Sequence, residues 1–210
     1  MTSYRIEIKQ CPNCDCEFTA WAVNSCNTFG GAKFYTDGSV EGPMFDSGSL
    51  LLICPKCSKY FWREDVPTLQ SVRDRDYCLD SDKQSFPRAE WVEGRHYEDM
   101  VRQSFWRTGD EEKYIRIRAW WSCNSPYRDD STQEFRLSAE QEENLRRLLR
   151  LLDADDPHGS LMKAEIFREL GQFEECLKQL AQPFGERYLR AIEVIKKLAH
   201  DKKRQVELIG

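Results

Sequence analysis

Cys11-Pro12-Asn13-Cys14 and Cys54-Pro55-Lys56-Cys57 are two copies of one pattern, and each sets a phenylalanine four residues beyond its second cysteine, at Phe18 and Phe61. A Cys-x-x-Cys turn presents two thiolates side by side, aims backbone N–H groups at the sulfurs, and is stiffened here by proline. Two such turns supply the four sulfurs of a tetrahedral ion. Zinc suits four thiolates, magnesium and calcium do not, and iron in the same cage is the alternative that geometry leaves open. A redox pair would head a helix in a βαβ setting. Instead, Tyr4-Arg5-Ile6-Glu7-Ile8 and Leu50-Leu51-Leu52-Ile53 are short β-like runs leading into each turn. Cys11, Cys14, Cys54 and Cys57 are therefore the candidate metal ligands.

The chain holds nine cysteines, and its opening residues lack the apolar run of an export signal. A cytoplasmic setting is expected, with thiols kept reduced. Cys16, two residues past Cys14, and Cys26 are the possible substitute ligands; Cys78, Cys123 and Cys176 read as packing residues. His96, His158 and His200 share no ligand spacing with any cysteine. No apolar stretch approaches ~18 residues, so a membrane span is not expected. Formal net charge is −5, and residues 1–65 carry six basic against eight acidic side chains. That balance lacks the basic surplus with which proteins grip nucleic acid.

The spacer between the turns exceeds the ~15–20 residues of the simplest four-cysteine pattern and so has structure of its own. Asp37-Gly38 between β-compatible residues predicts a hairpin with a type I′ turn, and Gly30-Gly31 a bend. Phe29, Lys33, Phe34, Tyr35 and Trp62 admit two readings: packing over a thin core, or a recognition surface of aromatics with a few polar groups. Taken in order, Cys-Pro-x-Cys, Asn27-Thr28-Phe29-Gly30, Thr36-Asp37-Gly38, Pro43-Met44 and the second Cys-Pro-x-Cys with Phe61-Trp62 resemble an N-terminal segment of uncharacterised bacterial proteins with a zinc ribbon. The resemblance covers roughly residues 9–65. The chain departs from it by the extra Gly31, and by Asp15 and Ser58 where such a turn usually carries glycine. What it implies is a zinc ribbon; it names no activity.

Residues 66–90 turn polar, with Arg73-Asp74-Arg75-Asp76 and Leu79-Asp80-Ser81-Asp82-Lys83, and are expected to form a linker. Beyond them the pattern is helical. Tyr97, Val101 and Phe105 recur every four residues, and Thr108-Gly109-Asp110-Glu111 is a capping box ahead of Tyr114, Ile117 and Trp121. That stretch also alternates as a strand would, and the cap favours helix. Ser138-Ala139-Glu140-Gln141 caps a stripe of Leu145, Leu148, Leu149 and Leu152. Ala164 to Leu180 reads as helix, tight turn, helix, with Gly171 at the left-handed position. In its small Ala164 and Cys176 and its aromatic Phe167 and Phe173, this pair resembles a tetratricopeptide repeat. Tyr188 to Ala199 forms a final amphipathic helix.

The expected architecture is α+β: a zinc ribbon with an inserted β-hairpin at 1–65, a linker at 66–90, and a tetratricopeptide-like helical domain at 91–210. Arg116, Arg118, Trp120, Trp121, Arg128 and His96 read as a helix with solvated arginines and buried tryptophans, not as a phosphate pocket. No His-Glu-x-x-His or Gly-x-Ser-x-Gly motif occurs and no Cys–His pair is spaced as a nucleophile would need, so no enzyme is expected. The expected role is a zinc-binding adaptor or regulator with a protein partner. The alternative is a nucleic-acid-associated regulator using Lys33, Phe34, Tyr35 and Trp62 with arginines near Arg116.

Overall fold

In the computed structural model, strands dominate the N-terminal part and six helices follow, counted among the described residues, which are 3–43, 45, 48–73, 77, 85–129 and 133–209. The strands are β1 (Ser3–Gln10), β2 (Glu17–Ser25), β3 (Lys33–Phe34), β4 (Val40–Glu41), β5 (Leu51–Ile53), β6 (Tyr60–Trp62) and β7 (Thr68–Arg73). The helices are α1 (Arg95–Gln103), α2 (Gly109–Asp129), α3 (Ala139–Leu151), α4 (Pro157–Glu169), α5 (Phe173–Gln179) and α6 (Leu189–His200). No helix is long and apolar enough to cross a membrane among these residues. The chain divides into two compact units, one of residues 1–32 and 41–92, the other of 33–40 and 93–210.

The strand unit is built from two antiparallel hairpins. In one, β1 lies between β2 and β7 with Ile8 opposite Thr19 on one side and Gln70 on the other. In the other, β5 pairs with β6, Leu52 facing Phe61. Apolar contact between them comes from Phe18, Ala20, Leu52 and Val66, with Phe61 packed alongside. Both faces of β1 are covered: Ile6 and Ile8 are buried on one, Glu7 and Lys9 on the other. Lys9 Nζ donates to the carbonyls of Arg63 and Val66 and to Thr68 Oγ1. Arg63 donates to Glu7 Oε2 at 2.9 Å and to the carbonyl of Trp21 at 2.6 Å. Burial pushes the Glu7 carboxyl up, but Arg5, Lys9 and Arg63 outweigh it and hold the group below its usual value.

The expected linker is only partly one. Thr68–Arg73 is a strand of the three-stranded sheet, and residues 87–90 stitch onto both hairpins through Thr19 N to Pro87 O, Ala89 N to Thr19 O and Glu90 N to Ile53 O. Polar composition misleads here because an edge strand with one face in water needs few apolar residues. The most charged part of that run, 74–76 and 78–84 with Cys78, lies outside the described residues.

In the helical unit α1 packs on α2, α2 on α3, α4 on α5, and α6 on both α4 and α5. Two apolar clusters fill it, one of Trp120, Leu145, Leu148, Met162 and Ile166, the other of Leu161, Ala164, Cys176, Leu180, Ile192 and Ile195. The 109–129 segment is helix, as its cap indicates, with Glu111 N donating to Thr108 Oγ1. The Ser138–Gln141 capping box is complete. Gly171 (φ 78°) ends α4 as expected, with Gln172 N donating to Phe167 O and Gly171 N to Arg168 O. Among the described residues this is one helix pair with α6 against it.

The inserted hairpin belongs to the helical unit. Its turn differs from the expected type I′: Gly38 has φ 81°, while Asp37 is not among the positive-φ residues, and Gly38 N closes back on Tyr35 O. Asp37 instead takes the N–H and hydroxyl of Ser39 on Oδ1. The hairpin is held by the C-terminal segment, through Thr36 N to Glu207 O and Ile209 N to Phe34 O. Asp37 is fully buried. Its Oδ2 accepts from Arg128 Nη2 at 2.7 Å and Asn124 Nδ2 at 3.0 Å, and its carbonyl accepts from Trp121 Nε1 at 2.9 Å. Asn124 also donates to Glu169 Oε1, whose Oε2 accepts from Trp120 Nε1. Arg168 pairs with Glu165, both fully buried. Thus Arg128, like Arg116, is interior and paired, a correction to the solvated arginines expected for α2.

Three buried carboxyls face two buried guanidiniums in this network, so one acid is in surplus. Burial, reinforced by Glu165 and Asp37, pushes Glu169 well above the usual carboxylate range. The folded state therefore favours the protonated group, and its contribution is present at low pH and lost as pH rises through the raised value. Glu169→Gln is expected to raise the melting temperature at neutral pH, the gain shrinking as pH approaches the ordinary value of 4.5. Asp37→Ala leaves Arg128 without its carboxylate and is expected to cost about 3–5 kcal/mol in denaturant unfolding.

Candidate metal centre

Each Cys-Pro-x-Cys forms the turn of one hairpin in the strand unit, the first between β1 and β2, the second between β5 and β6. The two turns share one hydrogen-bond pattern. Cys11 N donates to Cys16 O and Asp15 N to Cys11 O; Cys54 N donates to Lys59 O and Ser58 N to Cys54 O. Asn13 N and Lys56 N point at the first sulfur of each pair, both at 3.4 Å. Asp15 and Ser58 both have φ 55°, the left-handed conformation in which glycine is the usual residue. The departures noticed in the sequence thus fall at matching positions of the two turns, and the backbone there keeps the conformation that glycine would take.

The four sulfurs converge. Cys11 Sγ lies 3.7 Å from Cys57 Sγ, and Cys14 Sγ lies 3.7 Å from Cys54 Sγ. All four atoms fall within 4.8 Å of one another. A tetrahedron with metal–sulfur bonds of about 2.3 Å has sulfur–sulfur edges of about 3.8 Å. The donor set, the spacing and the N–H groups aimed at the sulfurs fit a metal ion such as zinc. Phe18 is fully buried beside the turns and Phe61 packs on the same cluster, which accounts for the shared offset. Cys16 directs its thiol to the carbonyl of Glu17 and Cys26 is exposed; neither belongs to the four-sulfur group.

The thiols differ in acidity. Burial pushes Cys11 up to about 12, whereas the backbone N–H of Lys59 helps bring Cys57 down to about 7. A metal must displace the protons that remain, so its affinity falls as pH falls.

The five candidate contact residues do not form one surface. In the strand unit Phe29 is 76% exposed, while Trp62 is buried on β6. In the helical unit Lys33 and Phe34 are exposed, but Tyr35 is only 3% exposed, beneath the Arg128 guanidinium at 5.1 Å. Tyr35 and Trp62 are thus buried side chains, whereas Phe29, Lys33 and Phe34 are exposed. The interior role of Asp37 is not legible in the sequence, because a buried acid in a turn is indistinguishable by type from a solvated one.

A comparison with models of protein families, with curated proteins and with solved structures finds no match to the chain.

Acidification is expected to release the bound metal, because protons compete with the ion for the four sulfurs, and the release is followed with a chromogenic chelator. Cys11→Ser or Cys54→Ser is expected to abolish stoichiometric metal, with loss of strand-unit circular dichroism, since ion binding supplies ~10–16 kcal/mol in comparable zinc peptides.

Proposed function

We propose that the chain is a zinc-ribbon protein of the kind its N-terminal segment resembles, in which zinc is structural and the protein acts, without catalysis, as an adaptor or regulator for a protein partner. The observation that carries the reading is the closed donor set. Four sulfurs fill every position of a tetrahedral ion, and a catalytic zinc keeps one position for water or substrate. Two thiols outside the cluster support it as well: burial pushes Cys123 and Cys176 up to about 12, too high for a thiolate nucleophile at neutral pH. Protein contact is supported by β7, which pairs with β1 along one side and exposes Leu69 at 50%. Such an edge offers a strand's worth of hydrogen bonds to another chain.

The nucleic-acid alternative loses support from the burial of Tyr35 and Trp62 and from the pairing of Arg116 with Glu112 at 2.7 Å. Elemental analysis with X-ray absorption on the untagged protein tests the metal. One zinc per chain with four sulfurs at about 2.3 Å supports the reading, and iron or a nitrogen or oxygen neighbour contradicts it. Retention of DNA or RNA at low salt, weakening as salt rises, would replace the adaptor reading with the nucleic-acid one. A protein captured by the native chain and released by Leu69→Lys supports the adaptor.

A further inference from the structure

The helical unit holds a cavity of ≈ 510 Å³ between α1, α2 and α3 that the proposed metal-centred role does not use. Its wall is apolar along Val101, Ala119, Trp120 and Leu145, and it is met on one side by Arg116 and Asn144. Arg116 is an unusual residue to find there, because its side chain is only 9% exposed. Nε donates to Glu112 at 2.7 Å and Nη1 to Asn144 Oδ1 at 3.0 Å. Asn144 in turn donates to the Arg116 carbonyl at 3.1 Å, so the guanidinium is locked at both ends of its own residue. The Trp106 ring stacks on it at 4.9 Å. Nη2 makes no hydrogen bond to any described residue.

A fixed, nearly buried guanidinium with one nitrogen unspent is a receptor for an oxyanion, and its planar donors suit a carboxylate. The surrounding acids do not compete for that nitrogen. Glu98 and Glu140 share Arg102, Glu143 pairs with Arg147, and these carboxylates are 37–73% exposed, where solvent screens them.

We propose that this cavity binds a small amphipathic carboxylate, its aromatic or aliphatic body against the partly exposed Val101 and Leu137, with Ala119 behind them, and its carboxylate on Arg116 Nη2. The site lies wholly within the helical unit, so it is independent of the metal centre and of the adaptor reading.

The test uses the full, metal-loaded chain and two shape-matched probes, 2-naphthylacetate and 2-naphthylacetamide, titrated by calorimetry. The acid is expected to saturate one site and to bind roughly tenfold or more tighter than the amide, as expected for a charge-assisted bond. Ala119→Trp, which fills the cavity, is expected to abolish binding of both probes, and Arg116→Gln to remove the difference between them, each with its melting curve recorded. Absence of saturable acid binding, equal affinity for acid and amide, or binding untouched by Ala119→Trp would overturn the proposal. The acid–amide comparison needs no variant, so it decides the matter even where Arg116→Gln fails to fold.

Discussion

Four cysteine sulfurs brought within 4.8 Å of one another, from two hairpins distant in sequence, are the constraint on which the strand unit rests. Phe18, Ala20, Leu52 and Val66, with Phe61 beside them, pack around the cysteine turns, and Ile6, Ile8, Leu51, Ile53 and Trp62 are buried along the strands. A unit of this size gains only a narrow margin from burial over the entropy of ordering two hairpins and the loops between them. On the proposed reading, an ion binding the four thiolates contributes the missing stabilisation. The protein contributes what a metal cannot, namely two turns with the same hydrogen bonds and N–H groups that favour thiolate over thiol. Two further ties act in the same place: Arg63, which joins β1 and β2 to the end of β6, and residues 87–90, which bond to both hairpins.

The helical unit solves a different problem. Its interior contains Asp37, Asn124, Arg128, Glu165, Arg168 and Glu169, and charge in such a place is tolerated only when paired and hydrogen-bonded. The pairing is nearly complete, with two buried atoms, Asn124 Oδ1 and Arg128 Nε, making no hydrogen bond to any described residue. One carboxyl more than the guanidiniums can balance makes a proton part of the structure, and Glu169, deepest and flanked by two other acids, is where burial places it. Asp37 arrives from a hairpin that sequence order would assign to the strand unit. A turn residue thus fixes a helix surface, with specificity gained through hydrogen bonds that a purely apolar plug would not require.

Much of this was legible in the sequence because it depends on local rules. The two Cys-Pro-x-Cys copies, the phenylalanine offset, the Ser138 capping box and the Gly171 helix end each follow from neighbouring residues alone. What escaped is non-local. The polar composition of Thr68–Arg73 hid a strand whose place is fixed by its register with β1. Asp37-Gly38 carries a strong hairpin signal, yet its carboxylate is taken up by Arg128 and Asn124, which lie far along the chain. Tyr35 and Trp62 carry nothing in their identity to separate a packing aromatic from a recognition aromatic; only burial does so.

The claim that one ion creates the strand unit is tested most directly by amide hydrogen exchange on the whole chain before and after metal removal with a chelator. The account expects protection in β1, β2, β5 and β6 to collapse together on removal and to return on adding one equivalent of zinc, while α2, α4 and α6 keep theirs. Strand amides that stay protected in the metal-free protein would contradict it, because the hairpins would then be held by their own packing.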